Sequence, residues 1–407
     1  IFSVKLAAPP QRWLVGVEDD QQPVASGDAF ELSQADDLGY RLTAGGRDLA
    51  RGTRAPGWVS AVGDRAAVSL GVRWFWQNHP VSVSGGERML SVNLWSTKTP
   101  FLWEGGLAKT HEFVLKIASE GSAKPDIEPL LGIAPSAWLC GTEAAGALLP
   151  RDAEALRQLG YWECWREESM RRWRNAMPTG LRDFGDAYMG GPYKGLNAYA
   201  NLEYDVALDF LHQFLRTGDR WYLDTSGPMV RHQADIDTEN VAGFAWKHSP
   251  RHTTTEAEFG HVFLRGMLLH HLLTGDRRDL ETAERVGDWI AGELTRNRGV
   301  GNERQIGWSL HALSALYEVT RRPHYLEAAQ ALCRRLTREQ SPTGKFNIRW
   351  DNRIAFFNGL ALNVMLSVQE LATEPAGEQA CLRGAVSNLG MYTEYGCRTV
   401  NAGFWGM

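Results

Sequence analysis

The tripeptides Thr217-Gly218-Asp219 and Thr274-Gly275-Asp276 stand at corresponding points of a repeated unit, and that repeat limits the fold more than any other feature. Each follows an apolar stretch and precedes an amphipathic one. Gly suits the left-handed stop of a helix, and Asp suits the cap of the next. A degenerate copy, Thr320-Arg321-Arg322-Pro323, puts Pro in the first turn of the helix that follows. The stretch before the second turn is apolar nearly all round, through Phe259, Val262, Phe263, Leu264, Met267, Leu268, Leu269, Leu272 and Leu273. The stretch after it carries a single stripe of Leu280, Ala283, Val286, Ile290 and Leu294. Tyr325, Ala328, Ala329, Leu332 and Leu336 repeat that stripe. A helix apolar on every side is buried, and a striped one lies on a surface.

Hairpins that alternate the two kinds make an α/α toroid, with further inner helices starting near Arg304 and Ile354. About four hairpins and one leading helix, from about Arg151 to Arg174, are legible. That is short of a closed (α/α)6 ring, so an incomplete ring or a truncated chain is expected. The short turns gather at one end of such a ring and the long loops at the other. Those loops are 193–201, 232–258, 296–304 and 340–354, and loops converging on one mouth are where binding groups collect.

The chain before the repeat reads as β-structure. Val68, Leu70, Val72, Trp74 and Trp76 alternate with other residues, as do Leu90, Val92 and Leu94, and Phe113, Leu115 and Ile117. This is the period of half-buried strands. Gly85-Gly86 and Gly105-Gly106 break the runs, and short strands at such spacing favour an antiparallel β-sandwich. The polar, proline-terminated stretch from Ala118 to Pro125 sets the boundary. The expected domains are a β-sandwich over 1–120 and an α/α toroid carrying the site over 121–407.

Composition narrows the partners. At 407 residues with 43% hydrophobic and 22% charged, the chain has an ordinary globular make-up, and its net charge of −5 argues against nucleic acid. No apolar run reaches the length that spans a bilayer, so no membrane partner is expected. Sixteen tryptophans give many aromatic surfaces able to stack on sugar rings or to fill helical cores. The five cysteines are scattered without a CxxC pair, which points away from a disulfide framework and toward a reducing, cytoplasmic setting. The chain starts at Ile1 with no visible signal peptide, so the true N-terminus is expected to lie upstream.

The chemistry is concentrated between Asn201 and His261. Glu203, Tyr204, His232, Trp246, His248, Arg251, His252, Glu258 and His261 all fall there. Polar groups of this kind repay burial only by pairing with each other or with a ligand. His248 and His252 are four apart, but Pro250 between them disfavours the helix that would put both on one face, so no metal is expected. No cofactor is expected either, since no phosphate-binding glycine loop occurs. Asp235 and Asp237 lack the glycine and distal glutamate of a calcium loop. Glu203 with Asp205, or Glu256 with Glu258, could supply the two carboxylates of a glycosidase. Residues two apart on a helix diverge by about 200°, so one member of each pair would have to meet the other's across the mouth. Lys247, Arg251, Arg304 and Arg349 put positive charge among the mouth loops, which suits an anionic ligand.

Several runs together resemble the exo-acting rhamnogalacturonan lyases and their bacterial YetA-like relatives, a polysaccharide lyase family. They are Phe75-Trp76-Gln77-Asn78-His79-Pro80, Gly106-Leu107-Ala108-Lys109-Thr110-His111-Glu112 and Asn201-Leu202-Glu203-Tyr204-Asp205, with Leu215-Arg216-Thr217-Gly218-Asp219. Arg231-His232-x-x-Asp235-x-Asp237 and Glu258-Phe259-Gly260-His261 complete the set. Family members typically carry a further N-terminal β-domain and a longer chain.

The resemblance implies β-elimination at a uronic acid of an acidic glycan. That reaction needs a cation for the substrate carboxylate, a base for the adjacent C–H proton and an acid for the leaving oxygen. On this reading Arg251, helped by Asn201, holds the carboxylate. His248 or His252 is the base, Tyr204 the acid, and His232 and His261 are orienters or alternates. Trp246 and Trp308 are stacking walls, and Glu203, Glu258, Tyr193, Lys194, Arg304 and Arg349 complete the substrate contacts. The competing readings are a glycoside hydrolase on the same toroid and a non-catalytic carbohydrate-binding relative.

Overall fold

A computed structural model describes residues 1–18, 20–119, 124–188, 198–296 and 301–338, together with Val368 and Leu371. Two compact units are present. One comprises Ile1–Trp103, Lys109–Gly132 and Pro178–Phe184, and the other Glu104–Ala108, Ile133–Met177 and the chain from Gly185 onward.

The first unit is an antiparallel β-sandwich. One sheet orders its strands Phe2–Lys5, Met89–Asn93, Val81–Gly86, Phe30–Gln34, Tyr40–Ala44 and Arg47–Gly52. The other orders Phe113–Ala118, Ala67–Val72, Trp58–Val62, Arg12–Val17 and Asp20–Ala25. Trp13 and Leu70 from one sheet meet Leu32, Leu42, Val83 and Leu90 from the other in a single buried cluster. Each such side chain contributes about 1.5–3 kcal/mol.

The alternation expected through Trp76 stops at Val72 as a strand. Trp74 has a left-handed φ of 53°, and Trp76–Asn78 form a 3-10 turn. The run Phe113, Leu115, Ile117 is a strand, but Leu115 and Ile117 are 51% and 72% exposed. Among the described residues it pairs only with Ala67–Val72, at the sheet edge, and leaves Leu115 and Ile117 facing outward while Phe113 packs on the core.

The second unit is helical. Its helices are α1 (Ser136–Gly141), α2 (Ala153–Ala176), α3 (Val206–Thr217), α4 (Arg220–His232), α5 (Arg265–Thr274), α6 (Arg277–Thr295), α7 (Glu303–Thr320) and α8 (Pro323–Arg338). Gly218 and Gly275 end α3 and α5 with φ of 71° and 76°. The Asp219 and Asp276 carboxylates then accept from the N–H groups of Trp221 and Arg278 at 2.9 and 3.0 Å. The third hairpin reaches the same left-handed stop with Arg321, φ 57°, where a side chain costs about 1–2 kcal/mol that glycine avoids.

Within the unit α3 packs on α5 and α5 on α7, while α6 packs on α8, the neighbour relations of inner and outer helices in an α/α toroid. The stripe Tyr325, Ala329, Leu332 and Leu336 is buried. The run from Phe259 to Leu273 is not one buried helix, however. Phe259–His261 form a 3-10 turn, α5 begins at Arg265, and Leu272 near its end is 61% exposed. The inner helix expected near Ile354 lies outside the described residues. No described helix is long and apolar enough to cross a membrane.

A buried ion pair ties α2 to α3. The Arg216 guanidinium bonds both carboxylate oxygens of Glu163, and Arg216 and Glu163 are 7% and 6% exposed. Arg216 also donates to the carbonyl of Leu149 and to the Gln213 side chain, both at 2.8 Å. Glu163→Leu should destabilise the protein by about 3–5 kcal/mol, because it strands a buried guanidinium, whereas Glu163→Leu with Arg216→Met should recover most of the loss. Urea unfolding of both variants against the parent measures this.

Candidate functional site

The short turns follow α3, α5 and α7, so the chemistry collects at the opposite ends of these helices, as the hairpin pattern predicts. Glu203 precedes α3, His261 precedes α5, Arg304 opens α7, and His232 closes α4.

The approach to α3 is strained. Asn201, Leu202, Tyr204 and Asp205 all have positive φ, between 46° and 67°. Non-glycine residues hold such angles only where the surroundings over-determine them. Two carboxylates do so. Asp186 accepts the N–H groups of Asn201 and Leu202 at 2.9 and 3.2 Å, and Asp205 accepts that of Gly266 at 3.1 Å. Burial pushes the Asp205 carboxyl up to about 6 against those bonds. The bend turns Glu203 into the site while burying Leu202 completely.

Four side chains meet there. The His248 Nε2 lies 2.8 Å from a Glu203 oxygen, and its Nδ1 lies 3.1 Å from the Tyr199 carbonyl. Both partners only accept, so both ring nitrogens carry protons and the ring is an imidazolium. Burial opposes that charge, but Glu203 and Tyr199 outweigh it and raise the His248 pKa above its ordinary value. Burial likewise pushes the Glu203 carboxyl up. The His248 bond and charge, Arg304 and the Tyr204 hydroxyl together hold it below the usual range.

Arg304 bonds the other oxygen of Glu203 and reaches the Nε2 of His261 at 3.4 Å. His261 is buried, its ring edge-on to His248 with centroids 4.5 Å apart. Burial, His248, Arg304 and Lys247 push its pKa well below the ordinary value, so it is neutral. Two histidines in contact are thus pushed toward opposite protonation states. Behind them Tyr204 stands 5.9 Å from Trp308 and beneath the Arg304 guanidinium, and Trp308 packs edge-on to Phe263.

His232 and His252, expected in the same pocket, belong to a second cluster. They join Asp186 and Asp237, and all four residues are buried. Asn201 donates to the carbonyls of His252 and Lys247 rather than facing a ligand with its amide nitrogen. Arg251, the expected carboxylate clamp, joins neither cluster. Its side chain is 66% exposed and its ion pair, with Glu104, is 4.0 Å long. Trp246 is buried against Phe244, and Glu258 caps the turn to Gly260 and receives Gln305, so neither presents its polar group freely. Tyr193, Lys194 and Arg349 lie outside the described residues.

Asp186 is not legible as a site residue in the sequence, because its partners are distant along the chain and only the preceding Gly185 marks it. The ordered cavity lined by Glu281, Glu284, Arg285, Asp288 and Trp289 contains no member of either cluster.

Either group could in principle hold a cation. In the first, the Arg304 guanidinium already bridges Glu203 and His261 and repels one. The second contains no such charge.

No protein-family model and no curated protein matches the chain. Among solved structures it is similar to the cellobiose 2-epimerase of Spirochaeta thermophila, at 16% identity and a TM-score of 0.43 over 57% of this chain and 69% of that one. It is similar to a sugar epimerase from a ruminal bacterium at 12% and 0.37, over 56% and 84%. A family 76 glycoside hydrolase from a bovine Bacteroides thetaiotaomicron strain gives 10% and 0.41, over 89% and 72%.

The two histidines should titrate apart. With a raised folded pKa, the His248 pair stabilises the protein fully below the unfolded value of about 6.5, and that contribution is lost as pH rises through the folded pKa. In an NMR titration His248 should deprotonate above the ordinary histidine range, and Glu203→Gln should bring it down. His261 should stay neutral until well below that range. Superimposed curves for the two rings would contradict the site geometry.

Proposed function

We propose that the helical unit is the catalytic part of a carbohydrate-active enzyme, a lyase that cleaves a uronic-acid-containing, rhamnogalacturonan-like glycan by β-elimination. The observation that carries this reading is the contact between a neutral His261 and a protonated His248, gripped by Glu203 and Arg304. Elimination needs such a set: a base for a carbon-bound proton, cations for a carboxylate gaining charge, and an acid for the departing oxygen. The starts of α3, α5 and α7 lie close to these groups, and helix N-termini favour an anion.

The steps balance without water. Arg304 turns from the His261 Nε2 to the incoming substrate carboxylate, the Nε2 lone pair so released takes the proton from C5, and the electrons of that C–H bond become the C4–C5 double bond. The C4–O bond breaks, and His248 or the neighbouring Tyr204 protonates the oxygen that leaves. Arg304 and His248 together stabilise the charge that builds on the substrate carboxylate. The base is then His261 rather than His248 or His252. The first is held as an imidazolium by two acceptors, and the second stands in the other cluster with its Nδ1 beside the Asp186 and Asp237 carboxylates. Arg304 replaces Arg251 as the carboxylate's partner. A hydrolase would need two carboxylates disposed about a glycosidic bond. Here Glu203 is engaged by His248 and Arg304, and Glu258 by Gly260 and Gln305.

Incubation with acidic plant and bacterial polysaccharides, read by ultraviolet absorbance and product mass, tests the reaction. Unsaturated products with no added water are expected. Products heavier by one water would identify a hydrolase, and solvent deuterium in an uncleaved sugar an epimerase. His261→Ala should lower kcat by roughly 10²–10⁴-fold with the fold intact. Arg304→Ala should damage KM and kcat together. A His261→Ala variant of parental kcat would remove His261 as the base.

A further inference from the structure

The second cluster is assembled from three separate segments. His232 ends α4, and Gln233–Asp237 continue it as a π-turn. Residues five apart lie about 140° from alignment on an α-helix, whereas the i→i+5 bonding of a π-turn stacks them. The π-turn therefore brings the Asp237 carboxylate to 3.2 Å from the His232 Nε2. His252, in a left-handed conformation of φ 65° and stacked on Tyr199 at 3.9 Å, brings its Nδ1 to 3.3 Å from His232 and 3.5 Å from Asp237. Asp186 reaches the same Nδ1 at 3.5 Å. It gets there because Gly185, with φ of +114°, lies so close to α4 that a Cβ would strike the Pro228 carbonyl and His232.

We propose that Asp186, His232, Asp237 and His252 form a structural site for a tetrahedral divalent cation of the zinc class. Zinc bound at about 2.0–2.1 Å to nitrogen and oxygen keeps its ligands about 3.3–3.4 Å apart in a tetrahedron. The four separations given above run from 3.2 to 3.5 Å, and one ligand atom of each residue lies within 4.8 Å of all the others. Two imidazoles with two carboxylates are a zinc-like donor set, and the two negative charges match a divalent ion.

A second observation points to the same ligand. Asp237 is 3% exposed, and neither of its carboxylate oxygens receives a well-aligned hydrogen bond, the His232 and His252 ring nitrogens standing 3.2 and 3.5 Å from one of them. A buried carboxylate so placed is costly unless a cation meets it. The surroundings also orient the ligands as metal sites require. The N–H groups of Asn201 and Leu202 fix Asp186, and the Asn201 amide holds the His252 carbonyl.

Four protein ligands and full burial make the site closed, which is the structural kind. Its task is to pin the 249–252 loop and the 198–202 bend to α4, and these carry His248 and Glu203 into the acid–base cluster. The site is independent of which reaction the enzyme catalyses.

The test is metal analysis of the full chain, purified without chelator and dialysed. About one zinc per chain is expected, released only by a strong chelator and with a fall in Tm. Cobalt replacement should give the intense visible bands of a tetrahedral centre. Asp186→Ala and His232→Ala should weaken metal binding by at least ~10²-fold, since loss of outer-shell partners alone costs up to that much. His261→Ala should retain the metal. Folded parent protein that binds neither zinc nor cobalt would overturn the proposal. So would metal lost in His261→Ala but kept in the Asp186 and His232 variants. If those two variants fail to fold, the metal content and cobalt spectrum of the parent decide.

Discussion

The Asp186 carboxylate is the contact on which both clusters depend. It receives two consecutive backbone N–H groups from a bend that no ordinary residue adopts unaided, and it stands beside His252 at 3.5 Å. Each left-handed residue in that bend costs of order 1–3 kcal/mol. A hydrogen bond to a charged group returns about 1.5–3 kcal/mol. Each of the two bonds offsets the strain of one such residue while the carboxylate is fixed in place. Without it the bend would relax, and Glu203, two residues on, would leave its position between His248 and Arg304.

The cluster of Glu203, His248, His261 and Arg304 then follows from charge placed in a poorly solvated setting. His248 is charged because everything its nitrogens touch is an acceptor. His261 is neutral because it is buried beside one cation and one imidazolium. Neither state needs an unusual residue type. Each is a consequence of which neighbours the start of α7 and the loop before α5 deliver. Glu203 links the two by receiving both His248 and Arg304, so that the negative charge between the two cations is shared.

The periodic part of this design was legible and the folded-back part was not. Turn residues at Gly218 and Gly275 marked the hairpins because a left-handed stop and an acidic cap are local events. Alternation marked the strands, although Leu115 and Ile117 show that period two tells which residues share a face and not whether that face is covered. The histidines were recognised as a group, yet they divide between two sites. Spacing along a loop does not reveal that His252 turns back onto α4 while His248, four residues earlier, meets Glu203 and His261. His248 and His252 are not a helical pair, since the partners of His252 come from 66 residues away at Asp186 and from 20 away at His232. Arg251 misled for a related reason: charge in a mouth loop is visible in sequence, but its 66% exposure is not.

The π-turn between His232 and Asp237 has a genetic corollary. Loops usually absorb the gain or loss of a codon at little cost. This stretch cannot, because its extra residue is what swings the carboxylate round to the imidazole. Its length is thus as much a part of the site as the identity of its side chains. Among divergent copies of the gene, drift in the number of residues here would mark the branches in which the buried centre has been abandoned, even where all four side chains survive.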